Sequence, residues 1–199
     1  MSVEVSKRGR PGEGSLQDDR AMHYPNVFQL VAAVCREAGV SCVLVGGFAV
    51  NYYKVTRQTA DVDFLIAKED FEKIVPSLKG EGYKMDFAQD VFARLKGNRL
   101  YLMDLDFMFV DRKTLIEIIA HGRRISVAGQ KLIVPCLNHL IALKLHSIKH
   151  NPRMRESKDL PDIINLARIN EVNIKSSEFR ALCLKYGTGQ LYRKIIKGV

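Results

Sequence analysis

The feature that most constrains this chain of 199 residues is a pair of aspartates in an otherwise apolar segment, DVDFLIA, at residues 61–67. Alternate side chains of a strand point to the same side, so Asp61 and Asp63 project together while Val62 and Phe64 pack on the opposite face. Carboxylates held close together repel unless they are protonated or share a cation, and such oxygen ligands select Mg²⁺ or Mn²⁺. The pattern therefore predicts a strand that carries a divalent-metal site.

Two glycines, Gly46 and Gly47, follow a short apolar segment, residues 41–45, that is predicted to be a buried strand. Residues 48–53 are predicted to form a short helix directly after them. Glycine lets the backbone approach a ligand closely, and free N–H groups at a helix start favour phosphate. Phosphate on one side and metal on the other is the arrangement needed to hold a nucleoside triphosphate for attack at phosphorus.

A third carboxylate is expected from a neighbouring strand, because two carboxylates rarely hold two metal ions. Residues 90–111 are predicted to form a hairpin that turns at residues 97–98. Its second strand places Asp104 and Asp106 on one face among leucine, methionine and phenylalanine. Asp106 is the preferred third ligand because an apolar run follows it directly, and Asp104 remains the alternative.

The rest of the pattern predicts an α/β core followed by helices, with the boundary near Pro135. Residues 1–20 are rich in glycine, serine and charge and are predicted to be a flexible tail; residues 21–134 form the core and residues 135–199 a helical subdomain. Such a chain can bury a core without disulfides. No apolar run is long enough to span a bilayer, and no secretory signal is recognised. We expect a cytoplasmic protein that does not bind membranes.

Within the helical part, residues 136–150 are predicted to be an amphipathic helix and residues 151–157 a basic loop. The next helix is predicted to begin with Asp159 as its N-cap and Pro161 in its first turn, where a missing N–H costs nothing.

Positive charge is concentrated in one part of the chain. The net charge is +9, and residues 112–155 contain nine lysines and arginines against one acid, together with four of the five histidines. Such a block can bind a polyanion such as RNA, or the phosphates of a nucleotide. A solvated basic face is the alternative, and charge alone does not decide between them.

Taken together, these motifs resemble the nucleotidyltransferase superfamily that includes DNA polymerase beta. The resemblance lies in the two glycines, the spacing Arg57-x-Thr59-x-Asp61-x-Asp63 and the later strand aspartate. The chain is similar in particular to AbiEii/AbiGii-type toxin and minimal nucleotidyltransferases. A C-terminal segment also agrees with those proteins, at Leu140, Lys144, Arg155, Lys158, Asp159 and Asp162. Many minimal members have serine where this chain has Gly47 and Ala60, which favours the toxin-like branch over the type that adenylylates a partner protein.

The resemblance implies an α+β nucleotidyltransferase fold, a mixed twisted sheet flanked by helices. It implies transfer of a nucleotidyl group from an NTP to a hydroxyl, most simply on RNA such as a tRNA end. Asp61, Asp63 and Asp106 would bind Mg²⁺ or Mn²⁺, and Asp106 would also deprotonate or orient the hydroxyl. The nucleotide would be held at Gly46, Gly47, Arg57, Thr59, Lys144 and Lys158, with Arg57 or Lys144 neutralising the departing pyrophosphate.

Several assignments have a structural alternative. Arg57 could pair with a surface acid, Lys144 could extend along its helix to solvent, and Lys158 could belong to a helix start. The function has alternatives too: a small-molecule acceptor such as an aminoglycoside, which a basic chain disfavours because that acceptor is cationic; adenylylation of a partner protein; or a catalytically inactive nucleic-acid-binding module. The toxin-like reading adds an antitoxin-like protein as a partner.

Overall fold

The computed structural model describes residues 24–99 and 102–199, so the predicted tail at residues 1–20 lies outside it. In chain order the elements are α1 (Val27–Glu37), β1 (Val43–Leu44), α2 (Gly46–Tyr52), β2 (Asp61–Ala67), α3 (Lys68–Gly80), β3 (Tyr83–Gln89), β4 (Phe92–Gly97), β5 (Asp104–Val110), α4 (Arg112–His121), β6 (Arg123–Val127), β7 (Gln130–Val134), α5 (Leu137–His150), α6 (Pro152–Ile169), α7 (Ser177–Tyr186) and α8 (Gly189–Gly198). The predicted α+β class is confirmed.

Five strands form a mixed sheet in the order β1-β2-β5-β4-β3, and β6 and β7 form a separate ribbon. The central strands β2 and β5 are parallel, whereas their neighbours in the sheet are antiparallel. In the β2–β5 pair, Asp61 lies beside Asp104 and Asp63 beside Asp106. Because both strands run in the same direction, their aspartates come to the same end of the sheet.

The two faces of β2 have different partners. Val62, Phe64 and Ile66 point into the larger apolar cluster, which includes buried side chains of α1 and α3. On the opposite face, Leu65 and Ala67 pack in a smaller cluster with buried side chains of α4. Asp61 and Asp63 lie on this second face too. Along β2, this face is therefore acidic at the start of the strand and apolar at its end, where α4 covers it.

Three strand and helix bounds differ from the prediction. The first strand is only Val43–Leu44, and α2 begins at Gly46, so both glycines belong to its first turn. The hairpin of β4 and β5 is confirmed, but Gly97 is still in β4 and the connection runs over residues 98–103. β3 was not predicted, and it is a mostly exposed strand at the edge of the sheet.

The predicted loop at residues 151–157 is wrong, because α6 runs without interruption from Pro152 to Ile169. Pro152 occupies the first turn, where its missing N–H costs nothing. Asp159 is not an N-cap: it is fully buried within the helix and pairs with Arg155 one turn earlier. Pro161 therefore lies in the helix interior. The i,i+4 pair between an arginine and an aspartate supports helix where the sequence alone suggested a basic loop.

The C-terminal helices share the core of the sheet. Ile163 of α6, Phe179 of α7 and Ile195 of α8 belong to the same apolar cluster as the inner side of α1. None of the helices in the described part of the chain has the length and apolar character needed to cross a membrane.

Candidate active site

Three carboxylates converge at the start of the parallel strand pair. Asp61, Asp63 and Asp106 each offer an oxygen atom, and these oxygens lie within 4.8 Å of one another. The register produces this directly, since Asp63 and Asp106 are neighbours across β2 and β5 and Asp61 is two residues before Asp63 on the same face. Three carboxylate ligands at this spacing fit a hard divalent cation such as Mg²⁺ or Mn²⁺.

Asp61 is held in place by the residue two positions before it. The hydroxyl Oγ1 of Thr59 lies 3.0 Å from Oδ1 of Asp61 and 3.1 Å from its backbone carbonyl oxygen, within donating distance of both. Thr59, predicted as a nucleotide contact, therefore positions a carboxylate of the triad.

Asp63 carries the clearest electrostatic signature of the triad. Its burial raises the pKa of the carboxyl from the ordinary 3.8 to about 6, and repulsion from Asp61 and Asp106 adds to the effect. Lys158 and Lys144 oppose this rise by attraction. A carboxylate whose charge is disfavoured by two like charges is one that a cation would stabilise.

Asp106 is the third member of the triad, and Asp104 is not. The guanidinium of Arg94 binds Asp106 through two hydrogen bonds, from Nε to Oδ1 at 2.7 Å and from Nη2 to Oδ2 at 2.6 Å. Asp106 is only 4% exposed, whereas Asp104 turns one oxygen to the backbone N–H of Gly97 at 3.3 Å. The fork of Arg94 fixes the orientation of Asp106, as bidentate arginine–carboxylate pairs do.

Sequence reasoning missed Arg94. It lies directly opposite Asp106 in the antiparallel pair of β4 and β5. A hairpin with the predicted turn at residues 97–98 has a different register, which moves Arg94 away from Asp106. An arginine in the strand paired with the Asp106 strand is the signal that could have identified it. Whether that arginine lies opposite Asp106 depends on the length of the connection between β4 and β5.

The two glycines leave room for the side chains of the site. Gly46 has a φ of +58°, and a Cβ atom added there would lie 1.8 Å from Oδ2 of Asp63. A Cβ added at Gly47 would lie 2.6 Å from the side chain of Thr59. Any larger residue would displace groups of the triad or their support. Glycine is therefore needed at both positions to leave space for Asp63 and for Thr59, independently of any phosphate contact.

Lys144 does not extend to solvent. It is 5% exposed, and its ammonium donates to Oδ1 of Asp159 at 2.8 Å and to Oδ2 of Asp162 at 2.7 Å. Arg57 also reaches Asp162, from Nη1 to Oδ2 at 3.1 Å, so its acid partner is a buried one on α6. Arg155 donates from Nε to the other oxygen of Asp159 at 2.9 Å. These three cations and two anions link the loop before β2 to α5 and α6.

The charges in this network stabilise one another. Burial alone would raise the pKa of Asp159, but attraction and hydrogen bonding from Lys144 and Arg155 outweigh it and lower that pKa below the usual value. Lys144 and Arg155 are correspondingly fixed by the carboxylate of Asp159, which remains ionised at neutral pH.

The cations line a narrow cavity, here called the basic cleft, that reaches the triad. Its wall contains four cations, Arg57, Lys144, Arg155 and Lys158, together with Gly46, Asp63 and Asp159. Its volume is about 30 Å³, the share of one water molecule in the liquid. The predicted residues Gly46, Asp63, Arg57, Lys144 and Lys158 therefore meet at one place, although Lys158 is exposed at the surface.

Solved structures show where the fold occurs elsewhere. The solution structure of the antibiotic-resistance factor ANT(2'')-Ia is similar with a TM-score of 0.57 and 14% identity, covering 78% of this chain and 86% of that one. An antigenic nucleotidyltransferase-like protein from Paracoccidioides brasiliensis is similar with a TM-score of 0.55 and 17% identity, covering 86% and 89%. At these low identities, the structural similarity shows a shared fold.

The crystal structure of ANT(2'')-Ia in complex with adenylyl-2''-tobramycin is similar with a TM-score of 0.51 and 13% identity, covering 85% of this chain and 92% of that one. No protein of curated function matches this sequence. The model of a family described as uncharacterised nucleotidyltransferase matches residues 16–197, which include the triad, the glycines and the buried ion pairs. The chain thus belongs to this family of nucleotidyltransferases.

Proposed function

We propose that this nucleotidyltransferase moves a nucleotidyl group from an NTP to a hydroxyl of RNA, with divalent ions held by Asp61, Asp63 and Asp106. The observation that supports this most directly is the convergence of the three carboxylates within 4.8 Å. When bound, Mg²⁺ or Mn²⁺ would supply Lewis-acid stabilisation of charge on the transferring phosphoryl group.

The protein's own residues would have separate tasks in this reaction. Asp61, supported by Thr59, and Asp63, accommodated by Gly46, hold the cations on β2. Asp106, fixed by Arg94, accepts a hydrogen bond from the attacking hydroxyl and orients its oxygen toward the α-phosphorus. The new P–O bond forms as the bond to pyrophosphate breaks, and the hydroxyl proton is lost toward the carboxylates.

The basic cleft would bind the triphosphate. An ammonium group has three N–H donors, and Lys144 uses two of them on Asp159 and Asp162, which leaves one for a phosphate oxygen. Arg57 is held in the same way by Asp162. Because the cleft has a volume of only about 30 Å³, a triphosphate requires side chains to move apart. The exposed Lys158 and the half-buried Arg155 are the cations at its wall that can move with least loss of packing.

An RNA acceptor is supported by charge. The chain carries a net charge of +9, and residues 112–155 alone carry a net charge of +8. Exposed cations lie on the β6–β7 ribbon, at Arg123, Arg124 and Lys131, and on α5 and α6, at Lys149 and Arg153. Such a surface attracts a polyanion and repels a cationic acceptor of the tobramycin kind.

We further propose a toxin-like or defence role with an antitoxin-like protein partner, supported by the AbiEii-type motif order of the sequence. Induced expression is expected to arrest growth with the wild type and not with Asp63→Asn. We also propose that residues 135–199 act as a helical subdomain that supplies three of the four cations of the cleft, Lys144, Arg155 and Lys158. Label found on a co-expressed protein in place of RNA would show adenylylation of a partner and contradict the RNA proposal.

The direct test uses α-³²P-labelled NTPs, Mg²⁺ and total RNA. We expect the RNA to be labelled by the wild type and by Asp90→Asn, a control at a fully exposed aspartate away from the triad. Asp63→Asn should remove the label. If the Asp63 variant labels RNA as well as the wild type does, the three-carboxylate mechanism is wrong. RNA binding that survives in this variant without any labelling by the wild type would indicate a nucleic-acid-binding module.

A further inference from the structure

A second cavity lies beside the basic cleft, between α4, α5 and the end of β5. Its volume is about 420 Å³, within the range of small-molecule sites. Leu143 lines both cavities, so they are neighbours. Along β5, Met108 lines the basic cleft and Val110 the second cavity. Since strands rise about 3.3 Å per residue, Val110 lies roughly 13 Å from Asp106, a distance that one or two nucleotides can span.

The walls of this cavity differ in charge from those of the basic cleft. Of the described residues, no lysine or arginine lines it, although the chain as a whole is strongly basic. Its polar groups include the carboxylate of Glu117 and the imidazoles of His139 and His146. Burial lowers the pKa of both histidines below its usual value, so both rings are neutral at pH 7. A phosphate group would find no cationic partner here.

The cavity has a hydrogen-bonding group for which the protein supplies no partner. Nδ1 of His139 is buried and, among the described residues, it is the one buried side-chain nitrogen or oxygen without a hydrogen bond. Buried polar atoms normally have partners, and because this nitrogen is closed off from solvent it reaches the cavity only when the ring turns, where a bound molecule would supply the missing partner. A neutral imidazole offers one donor and one acceptor, and its ring can turn about its last torsion to present either edge.

The aromatic and apolar walls complete the chemistry. Phe109 and Tyr186 line the cavity together with Ile118 and Leu143. Aromatic faces stack on planar heterocycles, and a carboxylate accepts hydrogen bonds from an exocyclic amino group such as N4 of cytosine. A planar, uncharged molecule with ring nitrogens and amino groups could stack on the aromatic side chains and form hydrogen bonds with Glu117 and the histidines.

We infer that the α4–α5 cavity is a nucleobase-binding pocket, which receives either the base of the incoming NTP or an unpaired base of the RNA acceptor. The choice of ligand rests on the proposed function, whereas the cavity, its walls and the orphaned nitrogen do not. Adenine and cytosine, which carry amino groups for Glu117, should bind better than uracil.

The test titrates metal-free protein with adenosine, cytidine and uridine, which have no phosphate and do not require the triad. Ala142→Leu fills the pocket from α5, and Ala120→Leu is the matched control at an exposed position of α4. We expect saturable adenosine binding to the wild type at millimolar concentration, weakened at least ten-fold in Ala142→Leu and unchanged in Ala120→Leu. Glu117→Gln should weaken adenosine and cytidine binding several-fold and leave uridine unaffected. Thermal melting verifies that each variant is folded.

No saturable nucleoside binding to the wild type, or equal binding by Ala142→Leu, would overturn the inference even if the enzyme transfers nucleotides normally. If transfer fails but nucleosides bind as expected, the proposed function fails and the pocket stands. In the active enzyme, a higher KM of Ala142→Leu for ATP assigns the pocket to the incoming base, and a higher KM for RNA assigns it to the acceptor. Unchanged KM values for both would overturn its role in the reaction.

Discussion

Replacing Asp63 by asparagine is expected to stabilise the metal-free protein while it removes activity. The ordinary pKa of an aspartate is 3.8, and that of Asp63 is about 6 because of burial and repulsion from the other two carboxylates. One pKa unit corresponds to about 1.36 kcal/mol, so the ionised carboxylate lowers the free energy of unfolding by about 3 kcal/mol at neutral pH. Asparagine has nearly the same shape and no charge, and it should recover most of this loss.

The pH dependence has a defined sign. Between pH 3.8 and pH 6 the folded protein keeps the proton on Asp63 while the unfolded chain has released it. The contribution of Asp63 to the free energy of unfolding therefore falls as the pH rises through this window and is constant above it. The stability gained by Asp63→Asn should accordingly be small near pH 4 and largest at pH 7.

Urea unfolding with a chelator present measures this difference at several pH values, and Asp90→Asn is the control because its carboxylate is exposed. Adding Mg²⁺ should stabilise the wild type and have a much smaller effect on Asp63→Asn, because the cation relieves the same repulsion. An Asp63 variant that is no more stable than the wild type at pH 7, or a difference that does not change with pH, would refute the repulsion argument.

Three further changes test other parts of the site. Gly46→Ala should reduce transfer at least a hundred-fold, because its Cβ would collide with the carboxylate of Asp63. Gly39→Ala is the control, since Gly39 has a similar positive φ but open space around it; it should keep activity and cost only about 1 kcal/mol in urea unfolding. Equal activities of the two variants would contradict this. Lys144→Met should lower the free energy of unfolding by about 3 kcal/mol, because two buried carboxylates lose the ammonium that they share and keep only Arg155 and Arg57 as partners, and a loss below about 1 kcal/mol would show that the ammonium does not stabilise them. Arg94→Ala should reduce kcat more than ten-fold and weaken Mg²⁺-dependent stabilisation, with partial recovery in Arg94→Lys; an unchanged kcat would remove its role in holding Asp106.

The acidic half of the site could be predicted because it depends on local rules. Alternation along a strand placed Asp61 and Asp63 on one face, and an apolar run identified the strand that brings Asp106 beside them. Arg94 could not be predicted, since its place opposite Asp106 depends on the length of the connection over residues 98–103. A connection of unknown length leaves the register of a hairpin open.

The basic half depends on contacts between distant parts of the chain. From the sequence, Lys144 is either a nucleotide contact or a lysine that extends to solvent, because the sequence does not show that α6 brings Asp159 and Asp162 against it. The same contacts explain why the predicted start of α6, with Asp159 as its N-cap, is later than the observed start at Pro152. A buried aspartate and a capping aspartate have the same residue type in the same local pattern, and only the tertiary partner distinguishes them.

The parallel pairing of β2 with β5 also has a consequence for how the chain folds. Asp63 and Asp106 are 43 residues apart, and the segment between them contains α3, β3 and β4. Closing a loop of this length costs about 3 kcal/mol of chain entropy plus a constant. During synthesis, the three-carboxylate cluster therefore cannot assemble until β5 has left the ribosome and paired with β2, and a chain that ends before Asp106 lacks it.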